Sequence, residues 1–305
     1  MVVKQQDFIF HLPVWPHDTA TLEADYTACR DIMRAASKNY SFAARFLPSD
    51  KLQHVEALYA LMRIGDDLVD VHHQGAAAAA AIDDFERQYW RAFETGDSPN
   101  PVFRAYLHTA YKFDISPDLL RPYFRAMRED LTVTRFPVFD DLIHYMEGSA
   151  LPVGRIMTHI LGVSTGHPTD AYPQADALSI AMQLSNFWRD IGQDWGIGRV
   201  YIPQEDLEQF GYGEDDLANY RITPNFIDLI DYQIERTERY YAQARMGVSR
   251  LASGRTGVMA ALNIYQAILP GIRRNSYNVF TIRAGTSSLQ KLALVANAWW
   301  DTCCD

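Results

Sequence analysis

Apolar residues recur at three- and four-residue intervals along most of the chain, for example over 26–45, 52–71, 76–94 and 179–194. That spacing collects them on one face of an α-helix, and the same segments are rich in strong helix formers. Alternating patterns closed by hairpin turns are nearly absent, so strands are not expected. Ser49, just ahead of Lys51 and Leu52, and the run Ser116-Pro117-Asp118 mark helix starts. Breaks fall near Pro48, Gly96 to Pro101, Pro137, Gly166 to Pro173, Pro203 and Pro224. The loops are short, none has the composition of a flexible linker, and no repeat of fixed period is present. The pattern predicts one all-α domain over 1–305, of roughly ten or more helices, with 1–25 as a peripheral extension.

Composition narrows the function. Acids outnumber bases 38 to 28, a net charge of -10. Nucleic acid is excluded as a general partner, because phosphate backbones need a basic face. A single anionic ligand remains open if metal ions bridge it to carboxylates. The three cysteines, Cys29, Cys303 and Cys304, supply neither zinc spacing nor a disulfide framework, which suits a reducing compartment. No signal peptide and no apolar run of about 18 residues is found, so a cytoplasmic chain without a spanning helix is expected.

Two constellations carry chemistry. In Arg63-Ile-Gly-Asp66-Asp67-Leu-Val-Asp70, the carboxylates lie three and four residues apart and can converge on one helix face. The flanking Leu58, Leu61, Met62, Leu68 and Val69 are expected to be buried, and acids beside an apolar stripe need a cation. Magnesium fits, since it takes one or two carboxylates together with phosphate oxygens. In Gln183-Leu-Ser-Asn186-Phe-Trp-Arg189-Asp190-Ile-Gly-Gln-Asp194, Asn186, Asp190 and Asp194 follow i, i+4, i+8. Arg189 beside them offers a fork of donors to a diphosphate. Spacing alone reaches only the class of metal-assisted allylic diphosphate enzymes, which includes chain elongators and terpene cyclases.

The surrounding motifs resemble those of the squalene/phytoene synthase family. Ser37-Lys-Asn-Tyr-Ser-Phe-Ala-Ala-Arg-Phe-Leu-Pro48 is similar to its N-terminal helix, and Ala57 through Asp70 to its first aspartate motif. Asn186 through Pro203 is similar to the second, with its Gly-Arg-x-Tyr-x-Pro tail; Tyr277 to Phe280, Arg283 and Lys291-Leu292 resemble the C-terminal signature. The resemblance implies an isoprenoid synthase helical bundle around a central cavity. It implies Mg2+, with Mn2+ as an alternative, held by Asp66, Asp67, Asp70, Asn186, Asp190 and Asp194. Diphosphate would be met by Lys38, Arg63, Asn186, Arg189, Arg199 and Arg283. It also implies head-to-head joining of two prenyl diphosphates through a cyclopropylcarbinyl diphosphate.

Two positions depart from the family pattern. Glu147 stands where many members carry an aromatic residue, often Tyr, and Tyr145 is the candidate to take over its catalytic part. Ala36 replaces a frequent His. Pro152 and the run Asn186 to Trp195 resemble a bacterial subgroup that makes hydroxysqualene. Ala44 would sit on the tunnel wall, where a small side chain leaves room for a longer tail. This favours two geranylgeranyl diphosphates going to phytoene. The alternatives are squalene, dehydrosqualene or hydroxysqualene from farnesyl or presqualene diphosphate, with NADPH needed only by a squalene synthase. Farther off stand a class I terpene cyclase and a non-catalytic prenyl-lipid-binding relative. No nucleotide-binding glycine motif follows a strand pattern. Tyr240, Tyr241, Trp299 and Trp300 are expected to pack in the core. A greasy substrate and product call for peripheral contact with membranes, although no basic amphipathic anchor is evident. Oligomeric state is left open.

Overall fold

The computed structural model describes residues 17–36, 38–70 and 75–303, without the side chains of 38–40 and 70. The first half of the chain forms α1 (Thr19–Ala36), α2 (Lys38–Ala44), α3 (Ser49–Asp70), α4 (Ala76–Thr95), α5 (Pro101–Lys112), α6 (Arg121–Glu129), α7 (Phe139–Ser149) and α8 (Leu151–Leu161). The second half forms α9 (Tyr172–Gly196), α10 (Gln204–Gln209), α11 (Glu214–Ala218), α12 (Pro224–Val248), α13 (Arg255–Gln266), α14 (Ile268–Arg274) and α15 (Ser288–Cys303). Strands are absent among the described residues; a single bridge pairs Val163 with Leu251. The all-α expectation holds.

Local chemistry explains the helix starts. Asn100 and Thr223 accept hydrogen bonds from the amides of Val102 and Phe226, each with a proline in the first turn. That proline has no N–H to leave unsatisfied. Ser116 caps a short 3-10 turn, Pro117–Leu120, rather than an α-helix, and α6 follows it.

Two large apolar cores form among the described residues, with a smaller third of Val248, Met259, Ala260, Val295 and Ala298. One gathers Leu58, Leu61, Ile82, Phe103 and Phe124 from α3 to α6. The other gathers Leu184, Trp188, Leu229, Ile234 and Tyr241 from α9 and α12. Trp188 is fully buried and donates its indole N–H to Thr237 Oγ1 at 2.9 Å, while Ser185 Oγ meets the Tyr241 hydroxyl at 2.8 Å. These contacts bury one face of α9 against α12 and turn Gln183, Asn186 and Arg189 toward a shared cavity. Gly154 lets α8 approach α9: a Cβ there would lie 2.4 Å from Ser179 Oγ and 2.9 Å from the Ala175 carbonyl oxygen.

Three expectations need correction. The helix expected over 26–45 is two, α1 and α2, on either side of residue 37, which lies outside the described residues. Ser41 Oγ donates to the Met33 carbonyl at 3.1 Å, packing α2 against the end of α1. The extension drawn over 1–25 is too long, because Thr19 to Asp25 belong to α1 and the buried Asp25 pairs with Arg104 at 2.5 Å. Trp299 and Trp300 are not core residues. They are 57% and 65% exposed, because α15 turns Val295 and Ala298 inward.

Candidate active site

A cavity of about 880 Å³ lies between α3 and α9. Tyr59, Arg63, Asp66, Gln183, Asn186 and Arg189 line its polar part, joined by Tyr265, Arg283 and Lys291. Ala44, Leu47, Leu58, Val153, Met157 and Leu178 line its apolar part. One hollow thus brings guanidinium and ammonium groups and the Asp66 carboxylate together with many apolar side chains, which suits an amphiphile with an anionic head.

The first acidic motif divides its labour. Asp66 faces the cavity, and Tyr123 on α6 donates its hydroxyl to Asp66 Oδ1 at 3.2 Å and to the Met62 carbonyl at 2.9 Å. Asp67 turns to Arg63 one helical turn back, with contacts of 3.1 and 2.6 Å. Asp67 therefore holds the guanidinium, while Asp66 is the carboxylate of this motif that faces the cavity. Asp70 ends α3, and its side chain lies outside the described residues, as does that of Lys38.

The second motif is tied down from two sides. Arg189 donates to both oxygens of Asp190, at 2.8 and 2.5 Å. Arg283, from the strap between α14 and α15, donates to the same oxygens at 2.8 and 2.9 Å. Burial alone would raise the Asp190 carboxyl, but the hydrogen bonds and charges of both guanidinium groups outweigh it and hold the group below the usual carboxylate range. The strap can cross α9 here because Gly192 has no side chain: a Cβ would sit 2.7 Å from Phe280 Cα and its carbonyl oxygen. Farther along α9, the Asp194 carbonyl accepts from the Arg199 amide at 2.8 Å and closes the helix end.

Of the anticipated residues, Asp67, Asp190, Asp194, Arg199 and Tyr145 are not among those that line the cavity, and neither is Glu147. Arg199 donates through Nη2 to the Asp130 carbonyl at 3.1 Å. Tyr145 is buried and donates its hydroxyl to Asp130 Oδ1 at 2.7 Å; burial and that carboxylate push its phenol well above the ordinary range. Glu147 points to solvent, 3.1 Å from His144 Nδ1 and 4.0 Å from Arg125. Conversely, Tyr59 and Tyr265 line the cavity without having been singled out from the sequence. Tyr59 precedes Arg63 by one helical turn, a spacing that places both on one face; Tyr265 carried no such signal.

Among the described residues, one carboxylate, Asp66, faces this cavity, beside the amides of Gln174, Gln183 and Asn186, hydroxyls, and guanidinium and ammonium groups. No thiol or imidazole does, and no cluster of three carboxylate, imidazole or thiol groups forms there among the described residues. Such donors suit a hard divalent cation whose remaining ligands come from a phosphate group.

Comparison with known proteins agrees with this arrangement. The family model described as squalene/phytoene synthase matches residues 33–290. The chain belongs to the squalene/phytoene synthase family. This makes it a prenyltransferase of isoprenoid biosynthesis. It is 32% identical over 283 residues to the 15-cis-phytoene synthase of Synechococcus elongatus, covering 90% of this chain and 92% of that one. A squalene synthase structure from Alicyclobacillus acidocaldarius aligns with a TM-score of 0.78 at 30% identity, covering 86% of this chain and 97% of that one. A dehydrosqualene synthase structure aligns with a TM-score of 0.86 at 26% identity, covering 94% and 99%.

Proposed function

We propose that this enzyme joins two prenyl diphosphates head to head through a cyclopropylcarbinyl diphosphate, and that its substrate is geranylgeranyl diphosphate and its product phytoene. The observation that carries the reading is the single cavity that continues from the Arg63, Asp66, Arg189 and Arg283 end into the apolar wall at Ala44. Ala44 is 6% exposed and lines that wall, so a long tail meets a methyl group where a larger residue would shorten the space.

Asp66 and Asn186, which line the cavity, would hold Mg2+ together with Asp70, Asp190 and Asp194; the last two lie outside the cavity lining, and Asp190 would exchange guanidinium hydrogen bonds for the ion. The bound ion would draw charge from the leaving diphosphate. Arg63 and Arg189 would orient the diphosphate, their forks matching its oxygens. The apolar wall would keep water from the carbocation after the C–O bond breaks. Pyrophosphate leaves in each of the two stages, and the final hydrocarbon forms by proton loss, so phytoene needs no reductant.

A second reading has its own support. Ser149 lines the cavity, and its Oγ is buried with no protein partner. A polar atom so placed could hold a water that captures the cation as an alcohol, as in hydroxysqualene formation. The test is product analysis by mass spectrometry with Mg2+ and geranylgeranyl, farnesyl or presqualene diphosphate, with and without NADPH. A forty-carbon hydrocarbon from geranylgeranyl diphosphate alone supports the first reading. Product only from the other two substrates replaces it.

A further inference from the structure

The outer side of α15 is unlike the rest of the surface. Leu289 is 80% exposed, Leu292 55%, Trp299 57% and Trp300 65%. At 100° per residue, these four with Ala293 and Ala296 fall on one arc of about 120°. The helix already buries Val295 and Ala298 on its opposite side, so this second apolar stripe contributes nothing to the fold. Solvent-facing patches of this kind mark interaction sites.

We propose that this face of α15 is a docking surface for the zwitterionic, uncharged-on-balance surface of a lipid bilayer. Charge decides between lipid classes. The stripe carries no basic residue: Lys291, on the inward side, lines the cavity, and Asp301, on a flank, lies 3.8 Å from Arg245. With a net charge of -10, the chain has no electrostatic reason to seek anionic headgroups. Apolar area and two tryptophans, whose rings suit the headgroup boundary, supply the affinity instead. Area argues against a second copy. Sixteen residues give a helix about 24 Å long, and a face about 10 Å wide gives roughly 500 Å² for a pair, well under the roughly 1,200 Å² of a stable interface. Position also favours lipid. The helix that presents Trp300 outward presents Lys291 to the cavity, so an amphiphile could pass from bilayer to site along one element. That link rests on the proposed prenyl substrate; the surface itself does not.

Flotation with phosphatidylcholine vesicles, read alongside tryptophan emission, tests the proposal. The protein should float with these vesicles, its emission should shift to the blue, and raising the salt should not release it. Trp299→Glu with Trp300→Glu should weaken binding about tenfold or more, since two large apolar groups leave the interface. Turnover of detergent-dispersed substrate and helical content should be unchanged, which separates failure of docking from failure of the proposed reaction. Should the double variant fold poorly, Leu289→Gln at the other end of the stripe should weaken flotation in the same sense. No flotation of the native protein, or flotation untouched by these variants, overturns the proposal. So does binding only to phosphatidylglycerol vesicles, or a concentration-dependent dimer that these variants abolish.

Discussion

Arg283 meets Asp190 across 93 residues of sequence, donating Nε to one carboxylate oxygen at 2.8 Å and Nη2 to the other at 2.9 Å. Both groups sit where α9 meets the strap before α15, and Arg283 also lines the cavity. Its side chain is 56% exposed, so the pair adds little to stability and its weight falls on positioning. Arg283→Lys keeps the charge but loses the planar fork. Turnover should drop about tenfold to a hundredfold while the melting temperature stays nearly constant, equivalent to about 1.4–2.8 kcal/mol of lost transition-state stabilisation. Steady-state kinetics with thermal melts checks this; unchanged turnover would remove Arg283 from the site.

Gly192 makes that meeting possible. Gly192→Ala improves intrinsic helix propensity by about 1 kcal/mol, yet its Cβ collides with Phe280 backbone at 2.7 Å. Helical content should hold or rise while turnover falls roughly tenfold, because the strap carrying Arg283 must shift. Circular dichroism beside kinetics separates the two effects. An active, unperturbed Gly192→Ala enzyme would mean the strap's path is not critical.

How much of this was legible in the sequence varied with the range of the interaction. Asp66, Asn186 and Arg189 were readable because an i, i+3 or i, i+4 interval dictates a shared helix face, whatever the tertiary fold. Asp67 was grouped with Asp66 on the same logic, but one residue is 100° of rotation, enough to turn it to Arg63. The division of 26–45 turned on Ser41 reaching Met33, a contact the apolar period does not record. Trp299 and Trp300 show the converse limit. Periodicity marks an apolar stripe but not whether a partner covers it, and α15 has two.

Ala44→Phe should shorten the preferred substrate. Ala44 is buried on the cavity wall near Leu47, so a phenyl ring would project into space now open to the tail. We expect the ratio of geranylgeranyl to farnesyl turnover to fall about tenfold or more, in the range a few methylenes of pocket depth supply. Competition between the two diphosphates measures it, and an unchanged ratio would disprove the tunnel argument.

Tyr145→Phe should damage stability more than chemistry. Its hydroxyl is a buried donor to Asp130, and its raised pKa leaves it protonated at neutral pH, so it has no lone charge to offer as a base. Removing it takes one buried hydrogen bond from the Asp130 carboxylate at a cost of about 1–3 kcal/mol. Denaturant titration should show that loss while turnover stays within about threefold, under 1 kcal/mol of barrier. A collapse of turnover with intact stability would instead restore the catalytic part that Glu147 leaves open.

His54 should make the fold acid-sensitive well above the range of its carboxylates. It is fully buried between α3 and α5, hydrogen-bonded through Nδ1 to Tyr26 at 2.9 Å and to Thr109 at 2.9 Å. Burial, then the charge of Lys112, lowers its pKa from 6.5 to about 3. The native state therefore keeps the ring neutral, while the unfolded chain takes up a proton below about pH 6.5. Stability contributed by the neutral ring is complete above that value and is lost as the pH falls toward 3, with a slope approaching about 1.4 kcal/mol per unit. His108 and His159, also lowered chiefly by burial, act in the same direction. Denaturant midpoints should fall steadily from about pH 6.5 to 5, before most carboxylates titrate. His54→Gln, which keeps polar contact but cannot titrate, should flatten that decline. Equal slopes in the two proteins would show that His54 is not the group whose protonation the fold resists.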